Sequence, residues 1–454
     1  MASILDRQNS VAPPGFNRFR VLPAAIAVHV AIGEVFAFAA FNLPLTRLIG
    51  GNASAPGDWD LKQVGSVFSI AIAFMGISGA LFGRWVEAAG PRKSIFTAAL
   101  CFGGGFLVAA VGVYLHQLWV LYLGYGVLLG SGVGIGYISP ISTLIKWFPD
   151  RPGMATGLAI MGFAGGALLA AHLSVSLMAH FKTTNSNGVP ETFVTLGVMY
   201  VLLMMIGVYA IRVPAADWKP AGWTAPTQPR QGVTTANVAV AMAWRTPQFW
   251  LLWVLLCTHV TAGIGVLSQA SPMIQETFGG RVSAAAAAGY VGLLSLFNVL
   301  GRFLWGSASD FIGRRNTYMI FFLLGILLYA AVPTVGHLRS IPLFVAAFCT
   351  MFSITGGGFA AFPAYLRDLF GTYQVGAIHG RLLTAWATAV VLGPVLVSYV
   401  RRYQTASGVP NEQAYSAMMY VMCGLLLIGF LCNFAIRAVD EKYFHHGADD
   451  TPLA

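Results

Sequence analysis

The chain has 454 residues, of which 57% are hydrophobic and 9% charged, with a mean hydropathy of +0.71. A soluble domain carries about 25% charged residues, so this composition excludes a soluble globular protein and points to an integral membrane protein. The net charge of +10 is no argument for nucleic acid, because the basic residues sit mainly in the tails and in alternate loops between apolar runs.

In chain order, a polar tail with Pro13-Pro14 runs to about Arg20. Twelve apolar runs follow, each near the roughly 20 residues a helix needs to span hydrocarbon. They fall at approximately 21–47, 62–83, 94–114, 118–145, 153–180, 193–212, 247–273, 283–308, 317–335, 341–366, 377–400 and 413–436. Such long runs rich in Leu, Ala, Gly and Met suit helices, whereas a β-barrel would show segments of about ten alternating residues. Between the sixth and seventh runs, 213–246 holds Pro214, Pro220, Pro226 and Pro229 with scattered basic residues. It reads as a linker with a short surface helix near 234–245. The chain thus divides into a tail (1–20), a first half (21–212), the linker (213–246), a second half (247–436) and a polar tail (437–454).

Of the 26 Lys and Arg, Arg47, Lys62, Lys182, Arg281, Arg339, Arg401 and Arg402 fall on the side opposite the tails. Arg302 lies within a span, and the remaining 18, Arg230 among them, lie on the side of the tails. By the positive-inside rule both termini are cytoplasmic. Cys101, Cys257, Cys349, Cys423 and Cys432 all lie in apolar spans without a CxxC, so neither a disulfide framework nor a metal site is expected. Glycines crowd span 4 (Gly130, Gly132, Gly134, Gly136) and span 10 (Gly356, Gly357, Gly358), where small residues let helices approach closely.

A pattern occurs twice. Gly83-Arg-Trp-Val-Glu87-Ala-Ala-Gly90-Pro91-Arg92-Lys93 recurs 223 residues later as Gly306-Ser-Ala-Ser-Asp310-Phe-Ile-Gly313-Arg314-Arg315. The same offset carries Pro140 to Pro363 and Gly157 to Gly380. The chain is therefore a duplicated half with both copies running in the same direction, and a substrate site between the repeats is the expectation.

Two ionisable residues stand out inside spans, where charge is costly and by default functional. Arg302 is four residues before Gly306, with Asn298 four residues earlier on the same helical face. A guanidinium grips a carboxylate with two parallel hydrogen bonds; the competing reading is that Arg302 snorkels to headgroups. Glu34 lies about thirteen residues into the first span. Its options are to carry a proton, to pair with Arg302, or to make a structural hydrogen bond.

The repeated pattern resembles the loop motif of the major facilitator superfamily, found between helices 2 and 3 and again between 8 and 9. That resemblance implies twelve transmembrane helices in two six-helix bundles, an all-α integral membrane fold. It also implies a gating cluster of Glu87, Arg92, Asp310, Arg314 and Arg315. The first copy departs from the pattern, with Glu87 for the usual Asp and Pro91 after Gly90.

Three further stretches resemble the oxalate/formate antiporter family: Gly134-Ile-Gly-Tyr137-Ile-Ser-Pro140; Lys146-Trp-Phe-Pro-Asp-Arg-Pro-Gly153 with Ala155-Thr-Gly157; and Gly33-Glu-Val-Phe36-Ala-Phe38. In that family, and in the related monocarboxylate porters, the arginine matching Arg302 binds the substrate carboxylate. The resemblance also places Phe36, Phe38, Tyr137, Phe348, Phe352 and Trp386 on spans that line or border the cavity, and makes His259 a second proton candidate beside Glu34.

The function expected from all this is secondary active transport of a small organic anion by alternating access. The anion is read as a monocarboxylate such as lactate, pyruvate or formate, moved with protons. Oxalate/formate-type exchange is the alternative, and drug efflux a third reading that Arg302 disfavours. No HExxH, metal-spaced His/Cys cluster or Gly-x-Ser-x-Gly triad is present, so no enzyme, metal or cofactor is expected. The expected partners are the carboxylate, protons or a counter-anion, and lipid, with no nucleic acid. The expected setting is a monomer in the cell membrane, of bacterial inner-membrane type.

Overall fold

Apolar runs of this length leave the backbone no polar partner but itself, so each closes into a helix. The structure, a computed structural model, describes residues 4–51, 53–183, 186–216, 218–224, 233–234, 236–410 and 413–445. Pro226, Pro229, Arg230 and residues 446–454 of the second tail lie outside the described residues.

The twelve spans are α1 (Arg18–Leu45), α2 (Leu61–Ala89), α3 (Pro91–Tyr114), α4 (Leu118–Trp147), α5 (Pro152–Phe181) and α6 (Val189–Ala210) in the first half. The second half holds α7 (Pro247–Leu267), α8 (Ala284–Ile312), α9 (Arg314–His337), α10 (Ile341–Phe370), α11 (Val375–Ala406) and α12 (Ser416–Ala435). Local chemistry sets their ends. Asp60 and Gln63 form a reciprocal capping box that starts α2, with N–H to side-chain oxygen distances of 2.8 and 3.0 Å. Pro91, Pro152 and Pro247 open α3, α5 and α7, where a missing N–H costs nothing.

The 223-residue offset carries Leu61–Ala89 onto Ala284–Ile312, Pro91–Tyr114 onto Arg314–His337, and Leu118–Trp147 onto Ile341–Phe370, matching both ends of each helix. Gly90 and Gly313, with φ of 82° and 89°, turn the chain between α2 and α3 and between α8 and α9 in a conformation that favours glycine. These glycines, not the end of the apolar stretch, stop α2 and α8. Both helices therefore run past the expected 83 and 308, and Glu87 and Asp310 sit in last helical turns rather than in loops. Two short helices flank α7: Val240–Ala243, within the expected surface helix, and Ala270–Thr277, inside and beyond what the apolar run assigned to the seventh span.

Large apolar side chains such as Leu81, Leu169, Leu202, Leu327 and Val395 are exposed around the outside, the surface a lipid-embedded protein presents. The bundles meet along two seams, α2 against α11 and α5 against α8. On the first, Gly76, Gly79 and Gly83 face Ala387, Gly380 and Ala377; on the second, Gly153 and Gly157 face Gly306 and the Arg302 backbone. Gly65, Gly165, Gly289 and Gly292, further toward the other face, meet no neighbouring atoms. The bundles are thus zipped at the face that carries both tails and part toward the opposite face.

The tail-bearing face is strapped. Ala12 donates to the Val213 carbonyl (2.9 Å) and Val213 to Ser10 (2.8 Å), which pins the first tail to the end of α6. Val238 donates to Phe370 (2.9 Å) and His445 to Asn237 (2.9 Å), which pins the linker and second tail to α10.

Candidate functional site

Arg302 lies ten residues before Ile312, the last residue of α8. At 1.5 Å per residue that is about 15 Å, half of a hydrocarbon core about 30 Å thick. The side chain is buried, 7% exposed. Its Nη1 donates to the Ile160 carbonyl of α5 across the seam (3.0 Å), and Nε and Nη2 donate to Asn298 Oδ1 (3.3 and 3.2 Å). The Asn298 amide donates onward to the Phe352 carbonyl of α10 (3.2 Å). The guanidinium lies 5.0 Å from the centroid of the Phe359 ring. Among the described residues no carboxylate pairs with it. A buried cation with only neutral partners is expensive, and the three bonds above engage three of the five guanidinium N–H groups.

Next to it stands an aromatic cluster centred on Trp386 of α11. The Trp386 ring stacks on Phe36 of α1 (5.9 Å) and meets Tyr137 of α4 (5.5 Å), Phe163 of α5 (5.7 Å) and Phe359 of α10 (5.5 Å). Its indole N–H is buried without a hydrogen-bond partner. Tyr137 in turn touches the rings of His29 (5.4 Å), Phe163 (5.4 Å) and His379 (5.6 Å). Five helices from both bundles thus build one buried constellation around a single cation.

The structure brings Arg302, Asn298, Tyr137, Phe36 and Trp386 together, with Phe352 joining through its carbonyl. It separates the other expected residues from this site. Phe38 packs on Tyr125 (4.6 Å) and Phe41 (6.3 Å) inside the first bundle, because residues two apart on a helix point to different faces. Phe348 packs on Phe344 (4.5 Å) and Tyr290 (6.2 Å).

Glu34, fully buried, accepts from the Tyr125 hydroxyl at 3.2 and 3.4 Å. That places its carboxyl in the first bundle's own packing rather than against Arg302. His259 sits among Tyr318, Phe321 and Phe322 of α9 at 5.8–6.1 Å, within the second bundle.

Phe163, Phe359, His29 and His379 are not among the residues the sequence singled out for this site. The repeat held one signal: the 223-residue offset carries Phe163 onto Trp386.

At the tail-bearing face each seam closes on an acid. Asp310 of α8 accepts from the N–H groups of Gly153 and Met154 at the start of α5, both at 2.9 Å, and pairs with Arg314. Glu87 of α2 accepts from the Gly376 N–H at the start of α11 (2.9 Å) and from Ser142 (2.6 Å), and pairs with Lys146 (2.7 Å). The two are equivalent, since 223 carries Glu87 to Asp310 and Gly153 to Gly376. Carboxylates at helix N-termini satisfy orphan N–H groups and the helix dipole.

Arg92 and Arg315, also equivalent, do not cross a seam. Arg92 donates to the carbonyls of Ile4 (3.1 Å), Asn9 (3.0 Å) and Tyr209 (3.2 Å), and Arg315 to that of Phe434 (2.8 Å). Each braces its own bundle. In the loop before α5, Arg18 grips Asp150 with bonds of 2.6 and 2.9 Å. Burial raises the Asp150 carboxyl, but the Arg18 guanidinium outweighs it and holds the group below the usual carboxylate range.

Comparison with known proteins places this arrangement. The family model of the Major Facilitator Superfamily matches residues 24–394 and again 283–449. The chain is 29% identical over 340 residues to the oxalate:formate antiporter of Oxalobacter formigenes, covering 73% of this chain and 74% of that one. It is 26% identical over 391 residues to apicoplast pyruvate carrier 1 of Toxoplasma gondii, covering 72% and 68%. Among solved structures, the proton:xylose symporter XylE matches with a TM-score of 0.66 at 16% identity, over 92% of this chain and 94% of that one; at that identity the likeness speaks for the fold.

Proposed function

The chain belongs to the major facilitator superfamily of transporters, and from that premise we propose that it carries a small monocarboxylate such as lactate, pyruvate or formate across the membrane by alternating access. The observation that carries this reading is Arg302: a buried cation at mid-depth, between the bundles, with neutral partners only. Snorkelling does not suit a guanidinium about 15 Å from its helix end. The buried indole N–H of Trp386 and the Tyr137 hydroxyl are further donors for the anion. The named activities of the oxalate:formate antiporter and the pyruvate carrier support a carboxylate cargo.

One deep cation matches one carboxylate. Helix α11 presents Trp386 toward the cleft, while Arg381 donates to the Val240 carbonyl at the tail-bearing face (2.9 Å). A dicarboxylate would want a second cation, so oxalate/formate-type exchange is the second reading, favoured by the antiporter likeness.

The tail-bearing face is the cytoplasmic one by its excess of Lys and Arg, so the cleft described here faces outward. Glu87 and Asp310 hold the cytoplasmic side shut by capping α11 and α5. Arg314 orients Asp310, and Arg92 and Arg315 keep each bundle rigid as it rocks. Transport is driven by protons. Glu34 and His259, the ionisable groups the sequence singled out for this, each pack inside one bundle, against Tyr125 and against Tyr318, Phe321 and Phe322. The protein works as a monomer in a bacterial inner membrane.

The test is substrate affinity, normalised to folded protein, for wild type, Arg302→Gln and Arg302→Lys with formate, lactate and pyruvate. Losing one partner of a desolvated charge pair costs about 2–5 kcal/mol. Arg302→Gln is therefore expected to weaken binding at least tenfold, one decade being about 1.4 kcal/mol. Arg302→Lys is expected to rescue poorly, since a point charge does not replace a planar fork. Near-wild-type affinity in Arg302→Gln would remove the anion site and reopen drug efflux.

A further inference from the structure

We propose that His29 and His379, which flank the Tyr137 ring from opposite bundles, form the site that takes up a proton together with the anion. The inference rests on Arg302 being the anion's anchor.

Three observations point to it. Both rings are buried, at 0% and 4% exposure. Each has a nitrogen without a hydrogen-bond partner: His29 Nε2 and His379 Nδ1. Buried polar atoms left this way call for an explanation. The His29 Nδ1 lies 2.9 Å from the Ala25 carbonyl. That bond makes Nδ1 the donor and leaves the Nε2 lone pair as the place where a proton can add. Finally, the rings straddle the bundle interface. His29 is on α1 and His379 on α11, and Tyr137 of α4 lies 5.4 and 5.6 Å from them. The site is assembled while the cytoplasmic side is closed and is divided when the bundles part there.

The charges facing these rings are few. Tyr137 comes from α4, and Arg302 of α8 acts electrostatically on His29 and on Tyr137. Helix α2 contributes Glu87, whose carboxylate holds the Gly376 N–H three residues before His379, and Arg84 near Arg381. From α5 and α10 the neighbours are the neutral rings of Phe163, against Tyr137, and Phe362, against His379. Glu34, five residues beyond His29, is turned to Tyr125.

Coupling follows from this arrangement. With the cleft empty, the charge of Arg302 opposes a second cation on the histidine pair. A carboxylate on Arg302 cancels that charge, and a proton from the water on the open side then adds to a ring nitrogen. By linkage the proton raises the anion's affinity by the same factor. When the cytoplasmic side opens, His29 and His379 separate, and the proton leaves to water with the anion.

The experiment adds formate or pyruvate to the purified full-length protein near pH 7 in weak buffer, and measures anion binding and proton uptake together. The expected result is about one proton taken up per anion bound, with affinity falling toward tenfold per pH unit where the pair titrates. His29→Gln and His379→Gln are each expected to bind the anion with uptake cut at least several-fold and a flattened pH dependence. Glu34→Gln and His259→Gln are expected to keep the wild-type stoichiometry. The wild-type measurement keeps the test decisive even where a histidine variant fails to fold. Binding without proton uptake overturns this inference alone and favours anion exchange. Full uptake in both histidine variants, or its loss in Glu34→Gln or His259→Gln, also overturns it. No binding of either anion overturns the carboxylate reading and this inference with it.

Discussion

The two seams at the tail-bearing face are copies of one design, yet they are built to different strengths. In the α5–α8 seam a short, 5%-exposed aspartate accepts from two successive N–H groups and is clamped by Arg314, itself 6% exposed. In the α2–α11 seam a longer glutamate accepts from one N–H and from Ser142, and its cation is Lys146, 25% exposed and borrowed from α4. The cause is visible in the repeat. The position of Arg314 is Pro91 in the first copy, so the local i,i+4 partner is missing and a lysine from another helix substitutes. A planar fork held dry is a tighter clamp than a partly solvated ammonium. The seam that carries Arg302 is therefore the stiffer one.

The stiffer seam is loosened most directly at Asp310. Asp310→Asn strips two helix-end N–H groups of a carboxylate and leaves Arg314 with its longer ion pair to Asp368 at 3.6 Å. Hydrogen bonds to a charged group are worth about 1.5–3 kcal/mol each, so weakening these two gives a shift of roughly 100-fold toward opening of the tail-bearing face. Spin-label distances between the ends of α5 and α8 at the tail-bearing face would read it, and unchanged distances would mean that Asp310 does not hold the seam.

Glu87→Gln sharpens the contrast. Glutamine still accepts from Gly376 and Ser142 and loses only the pairing with a partly wet lysine. About 0.5–1 kcal/mol is expected, a shift of a few-fold. An effect as large as that of Asp310→Asn would show the two seams to be equal after all.

The smallest effect is a pH dependence of the loop that presents Gly153 to Asp310. Arg18 holds the Asp150 carboxyl below its usual range. Its contribution is therefore present above the ordinary aspartate value near 3.9 and is lost as pH falls through the depressed folded-state value. For a partly exposed pair the contribution is about 1 kcal/mol or less. Thermal melts of wild type and Asp150→Asn are expected to differ slightly at pH 6 and to converge in strong acid. A gap that widens on acidification would contradict the assignment.

What the sequence by itself determined was the frame. Composition excluded a soluble protein, apolar run length counted the spans, and one offset of 223 exposed the repeat, the paired glycines and the paired acids. These are local or periodic properties, set by residue type and by distance along the chain. Arg302 and Asn298 were legible for the same reason, being one helical turn apart on one strand of sequence. What the tertiary structure decided was which neighbour covers each face. Glu34 and Arg302 are both buried ionisable groups, yet one is turned to Tyr125 within its bundle and the other reaches across the seam to the Ile160 carbonyl. Phe36 and Phe38 part company across a single helix, and Phe163, Phe359, His29 and His379 converge from four helices on Trp386 and Tyr137. A helix's periodicity says that residues share a face; only the packing of twelve helices says what that face meets.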